Sequence, residues 1–239
     1  MPRPWGPAVA VVALAMTAAG CGGGSGGSST SGHTATSAAQ PLGVEAVAVQ
    51  LTELPSGLHV CPYSGEMDSF IQNVKAISAE TSGSFAGQWG TLKAAGAVKA
   101  YTGYYGDSDR ACDNLVKPPG QRYTDESEEE HFRHHPVTAF NVVIEFPDTA
   151  AAVRAYQADY FGQSKLKDQV AFDVAVGDAS GLGPNSITSN SQGAPVLNRQ
   201  AVWQDGRFNV FFASTAVDRG QSEFATRAMD VRMKRGTPS

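Results

Sequence analysis

The densest chemistry in the sequence is the run Glu128-Glu129-Glu130-His131-Phe132-Arg133-His134-His135. Imidazole nitrogens and carboxylates within a few residues are the donor set of zinc and other transition metals. A metalloprotease places two histidines a helical turn apart around a glutamate base, as H-E-x-x-H. His131-x-x-His134 lacks that arrangement, and Pro136 closes a run set in polar surroundings. The run therefore reads as a solvated charged loop, with His131, His134 and His135 as the candidate metal ligands. A metal-dependent hydrolase using residues 128–135 is the alternative. A second candidate is Gly177-Asp178-Ala179-Ser180-Gly181-Leu182-Gly183. It has neither the Lys-Ser/Thr ending of a phosphate loop nor the dinucleotide-binding spacing. Ser180 stands as Ala-Ser-Gly rather than G-x-S-x-G, so no nucleophile elbow is present. No catalytic residue and no cofactor is assigned from these runs.

A third chemical position is Cys21. It closes the apolar stretch Pro7–Gly20, which is preceded by Arg3 and followed by a Gly/Ser/Thr run. The stretch is shorter than the roughly 20 residues a membrane-spanning helix needs. A charged start, an apolar middle and small residues at the end are the layout of a secretory signal. A cysteine directly after Ala18-Ala19-Gly20 resembles the lipobox of bacterial lipoproteins. The resemblance implies cleavage before Cys21, a diacylglycerol thioether on Cys21, and attachment to the extracytoplasmic face of the cell membrane. An ordinary secretory signal with a coincidental cysteine is the alternative. The expected organisation is a signal at 1–20, a lipidated flexible tether at 21–41 and a folded domain at 42–236. The tether has no apolar residue larger than alanine and cannot bury a core.

Residues 42–236 fit one medium domain or two small ones. The formal charge of −5 argues against a nucleic-acid partner, which needs a basic face to displace counterions. Of three cysteines, Cys21 takes the lipid. Cys61 and Cys112 remain as a pair in an oxidising compartment, which predicts a disulfide rather than two buried thiols. This also accounts for Cys61 better than a nucleophile role beside His59.

These positions must be held by elements, which the residue pattern outlines. Val47, Val49 and Leu51 alternate as a short strand. Phe70, Ile71, Val74 and Ile77 recur at helical spacing over 68–79, with Ser64 or Asp68 as cap. Glycine-rich 84–105, with Trp89, Tyr101 and Tyr104, predicts strands rather than a helix. Residues 106–109 form a loop leading to Cys112, and 115–136 a polar loop. Val137–Phe146 is nearly all apolar and predicts a central strand buried on both faces. Asp148 or Thr149 caps a helix over 150–161, with Val153, Tyr156 and Tyr160 on one stripe. Residues 168–191 are expected to be irregular. Val196–Trp203 and Phe208–Ala213 flank Asp205-Gly206 as a hairpin. A helix over 222–235 carries Phe224, Ala228 and Val231 on its apolar side.

Two strand-then-helix passages recur, 137–161 and 196–235. The fold class is therefore α+β, antiparallel sheet covered by helices, with possible pseudo-repeated halves 42–161 and 162–236. The glycine loop, the strand pair around Asp205-Gly206, the closing helix and the Phe146-Pro147-Asp148 helix unit resemble small actinobacterial lipoproteins and the extracellular sensor-like domains of mycobacterial serine/threonine kinases. The resemblance covers most of 137–235 and carries no functional residue with it. The absence of a convincing triad, metal motif or cofactor loop favours a non-catalytic module that binds or senses an envelope ligand or protein. Tyr104, Tyr105 and Trp203 are the candidate ligand contacts, since aromatics serve both core and contact surfaces.

Overall fold

A computed structural model describes residues 42–117, 137–167, 172–191 and 198–235. One eight-stranded antiparallel sheet organises them. Its strands are β1 (His59–Val60), β2 (Gly65–Glu66), β3 (Lys99–Gly106), β4 (Thr138–Glu145), β5 (Phe172–Val176), β6 (Ser186–Ser191), β7 (Asn198–Asp205) and β8 (Phe208–Thr215). Their order is β1-β3-β4-β8-β7-β6-β5, with β2 also on β3. The α+β expectation holds, and β4 lies centrally between β3 and β8. The expected β7–β8 hairpin forms with Asp205 opposite Phe208, so the two turn residues are Gly206 and Arg207. The turn thus sits one residue later than Asp205-Gly206, because glycine leads it with φ of +52°.

Helices α1 (Val44–Val47), α2 (Met67–Lys75), α3 (Ala79–Ala94), α4 (Asp109–Val116), α5 (Thr149–Gln157), α6 (Gln163–Lys167) and α7 (Arg219–Arg235) cover the sheet. Helix α7 and the segment around α1 pack on one face, over Tyr105, Ala139, Val143, Ala201, Trp203, Val210 and Phe212. Helices α2, α3 and α5 share the core of the opposite face, with Tyr104, Ile144 and Phe146. The two strand-helix passages therefore send their helices to opposite faces. Residues 42–161 supply β1–β4 and residues 162–235 supply β5–β8, joined edge to edge at β4–β8.

Several expectations are corrected. Residues 84–94 are helix, not strand. Ser78 caps α3 by accepting from the Thr81 amide, and Ser82, Trp89 and Leu92 are its buried residues. Trp89 Nε1 donates to Asp68 at 3.0 Å and Ser82 Oγ to the Ile71 carbonyl at 2.8 Å, locking α3 onto α2. Gly83, Gly87 and Gly90 face open space, so their propensity cost of about 1 kcal/mol each is overridden by packing on the other side. Residues 47–51 are not a strand either. Buried Val49 instead gives its amide to Asn141 Oδ1 at 3.2 Å, and its carbonyl accepts from Tyr105. Tyr105 reaches that carbonyl by lying over Gly103, where a Cβ would meet its hydroxyl at 2.8 Å. Neither Ser64 nor Asp68 caps α2; Ser64 Oγ bonds the Tyr104 backbone instead. Residues 109–116 are a helix capped by Ser108, so Cys112 is helical and Leu115 does not open a loop.

Residues 172–191 hold two strands and a 3₁₀ turn, Gly177–Ser180, rather than irregular chain. Asp148 caps α5 as expected, at 2.7 Å from the Ala151 amide. Its buried face, however, is Ala151, Ala152 and Ala155. Those small side chains bring the backbone close enough for Asn209 Nδ2 to donate to the Ala152 carbonyl at 2.9 Å. Helix α7 is turned the other way from expectation. Phe224 and Val231 are 59 % and 45 % exposed, while Ser222, Thr226 and Asp230 point inward with Ala225, Met229 and Met233. Three of the inward polar atoms have partners, while Asp230 Oδ1 is buried without one among the described residues. Ser222 Oγ lies 2.9 Å from Ser214 Oγ, Thr226 Oγ1 donates to the Ser222 carbonyl at 3.1 Å, and Asp230 accepts from Lys234 at 2.6 Å.

Candidate functional site

The register of the sheet builds a polar row on the α7 face. Tyr105, Ala139, Ser214, Arg199, Asn190 and Asp173 are successive cross-strand partners. Toward β4 the row is roofed by packed side chains. Toward β5 it opens into a pocket of about 220 Å³, floored by β5–β7 and walled by the first half of α7 and the glycine loop. The loop reaches this place because Gly177, Gly181 and Gly183 all take left-handed φ values that glycine adopts without a Cβ clash. Ser180 Oγ sits 2.5 Å from Ser186 Oγ and accepts from the Leu182 amide at 3.0 Å, which pins the loop to β6.

Arg199 is the pocket's buried charge, its side chain only 7 % exposed. Nη1 donates to Asn190 Oδ1 at 2.9 Å and lies 3.6 Å from Glu223 Oε1. Nε is buried with no hydrogen-bond partner among the described residues. Burial lowers the affinity of this guanidinium for its proton, Glu223 opposes that effect, and Arg219 and Arg227 add to it. A guanidinium nonetheless stays charged in a protein. Glu223 stands among three arginines. Arg219 Nε donates to Oε1 at 3.0 Å, and Arg227 Nη2 lies 3.9 Å from Oε2. The Arg219 bond first, and then the surrounding positive charge against burial, hold the Glu223 carboxyl below its ordinary range. Arg219 also lies 3.9 Å from Asp173.

This assembly can recognise charge and hydrogen-bonding groups on a small ligand. Its lining groups are guanidinium, carboxylate, hydroxyl, amide and short aliphatic side chains. Sequence reasoning missed it. The available signal was parity: Arg199 alternates with buried Ala201 and Trp203, so a cation occupies an inward strand position. Arg219, Glu223 and Arg227 at successive i,i+4 spacings marked the matching helix face.

The aromatic candidates lie elsewhere. Tyr104, Tyr105 and Trp203 are all buried in the core and none lines the pocket. Tyr104 stacks on Phe70 and Phe140, with ring centroids 5.3 and 5.1 Å apart. Cys61 and Cys112 are joined by a disulfide. His59 is beside it, 3.7 Å from Cys112 Sγ and 3.3 Å from Asp109, on the sheet edge opposite the pocket. Cys21, His131, His134, His135 and the acidic run 128–130 lie outside the described residues. Among the described residues no cluster of His, Cys, Asp or Glu is arranged to hold a metal ion, and no helix is long and apolar enough to cross a membrane.

No protein-family model and no curated protein matches the chain. Among solved structures, the crystal structure of the extracellular domain of PknH from Mycobacterium tuberculosis matches with 13 % identity and a TM-score of 0.42, covering 82 % of this chain and 98 % of that chain. A likeness at that level carries no residue or role across.

Proposed function

We propose that the chain is a lipid-anchored, extracytoplasmic, non-catalytic module that binds a small envelope ligand in the pocket between β5–β7 and α7. The observation that carries this reading is Arg199. A buried cation whose Nε has no partner among the described residues is costly to the fold and calls for an explanation, and Arg199 is the residue with such an atom that lines the pocket. Burial around a few convergent polar groups is the usual form of a ligand site.

The anchor rests on Cys21 and the short apolar run before it. The fold suits a tethered module. Leu42 lies at the β7–β8 turn, where its carbonyl accepts from Arg207 Nη2 at 3.4 Å. Arg199 lies at the other end of β7, about 20 Å away along the strand. The tether would leave one end of the sheet while the pocket opens at the other.

The test uses the full chain purified from its native membrane. Small molecules released on denaturation should be recovered from the parent and lost from Arg199→Met. Recovery of the same molecules from both proteins, or of none from either, would overturn the assignment of the pocket. Separately, Cys21→Ser should leave the membrane fraction or stay unprocessed. Unchanged fractionation with unchanged mature mass would remove the anchor.

A further inference from the structure

We infer that the pocket recognises the carboxylate of a small molecule, gripped between Arg199 on the floor and Arg227 at the mouth. This rests on the reading of the pocket as a binding site and adds the ligand's chemical class.

Three guanidinium groups, Arg199, Arg219 and Arg227, and three carboxylates, Asp173, Asp178 and Glu223, line the pocket, so its formal charge balances and what favours an anion is how the pairs are distributed. Arg199, Arg219 and Arg227 all lie within 4 Å of the Glu223 carboxylate, and Arg219 is also 3.9 Å from Asp173. The sharing is loose. Only Arg219 is within hydrogen-bonding distance of Glu223, at 3.0 Å, whereas Arg199 and Arg227 stand off at 3.6 and 3.9 Å. Both lie beyond an ordinary N–H···O bond. Arg199 and Arg227 are thus aimed at a carboxylate without being bonded to it, and Arg199 keeps a buried Nε unpaired. Planar guanidinium donors match a carboxylate in two-point geometry, and such charged bonds are stronger than neutral ones.

The same residues limit how much negative charge can enter. Asp173 on β5 and Asp178 on the 3₁₀ turn line the wall across from α7. Their carboxylates repel a dianion and accept hydrogen bonds from a hydroxyl or ammonium group. A monocarboxylate with such a donor at its other end complements both walls. A phosphate dianion does not.

Titration of the full-length, isotopically labelled protein at constant ionic strength tests this, with acetate, glycine, inorganic phosphate and ethylammonium as probes. Acetate and glycine should shift the Arg199 Nε–H, Asn190 and Thr188 resonances saturably, with glycine the tighter of the two. Arg199→Met, read at Asn190 and Thr188, should weaken binding roughly tenfold or more, the loss expected for a charged hydrogen bond. Arg227→Ala, an exposed substitution, should weaken it in the same direction without touching the fold. Preferential binding of phosphate or ethylammonium at these resonances would sink the carboxylate inference while leaving the pocket a binding site. Silence from every probe, or carboxylate shifts unchanged in both variants, would also sink it. If the native-membrane experiment came back empty as well, the binding reading would fall too.

Discussion

Replacing Arg199 by methionine separates a binding residue from a structural brace. Against the charge stands its desolvation, several kcal/mol for a buried ion. In its favour are one hydrogen bond to Asn190, worth about 1.5–3 kcal/mol for a charged donor, and the Glu223 carboxylate at 3.6 Å. At an effective dielectric of about 20 that attraction is roughly 4–5 kcal/mol before the discount for a partly exposed partner. The terms nearly cancel, and the unpaired Nε tips the balance against the charge. Methionine keeps most of the packed stem, leaves Glu223 paired with Arg219, and removes the buried charge. The variant should therefore be as stable as the parent or up to about 2 kcal/mol more so, because Glu223 is partly exposed and keeps its Arg219 bond, so no buried charge is left unpaired. In a domain of this size that is a rise in Tm of up to about 6 °C. Urea denaturation followed by tryptophan fluorescence and circular dichroism measures it as a midpoint shift at unchanged slope. A loss of more than about 2 kcal/mol would make Arg199 a brace and remove the argument that its burial serves a ligand.

Removing the Cys61–Cys112 bridge, which spans 51 residues, should cost about 4 kcal/mol by loop entropy, read from denaturation of Cys61→Ala/Cys112→Ala; two alkylatable thiols in the native parent would refute the bridge itself. Arg232 donates to the Val47 and Ala48 carbonyls and pairs with Glu53, so Arg232→Ala should lose about 3 kcal/mol and speed amide exchange over 44–49; unchanged exchange there would refute the clamp. Because the Glu223 carboxyl titrates below its ordinary range, its contribution to stability is complete above that range and is lost as pH falls from there down through the depressed folded value. Glu223→Gln should flatten that acid limb of the stability–pH curve, and an unchanged limb would show that the carboxylate is not held by its arginines.

Much of the fold was legible in local pattern. The largely apolar run 137–146 predicts a central strand, and that is where β4 lies. Asp148 before an alanine-rich run announces α5, and its cap bond forms. Helix α3 was hidden because propensity counts glycines without knowing which side of the element meets the core. The face of α7 was misread for a related reason. Ser222, Thr226 and Asp230 are polar by type, yet each finds a partner that lets it turn inward, leaving Phe224 outside. Tyr104, Tyr105 and Trp203 were candidate contacts by residue type, but burial commits them to the core.

By itself, the sequence determined what local chemistry governs: the central strand β4, the Asp148-capped α5, the β7–β8 hairpin to within one residue of its turn, and the pairing of Cys61 with Cys112. The pocket belongs to the tertiary structure alone. Asp173, Asn190 and Arg199 meet because β5, β6 and β7 pair in one register, and Glu223 joins them because α7 lies across that register. The period of two tells which face a strand residue takes, not which neighbour it meets there. A charge on an inward position acquires its meaning only from that neighbour.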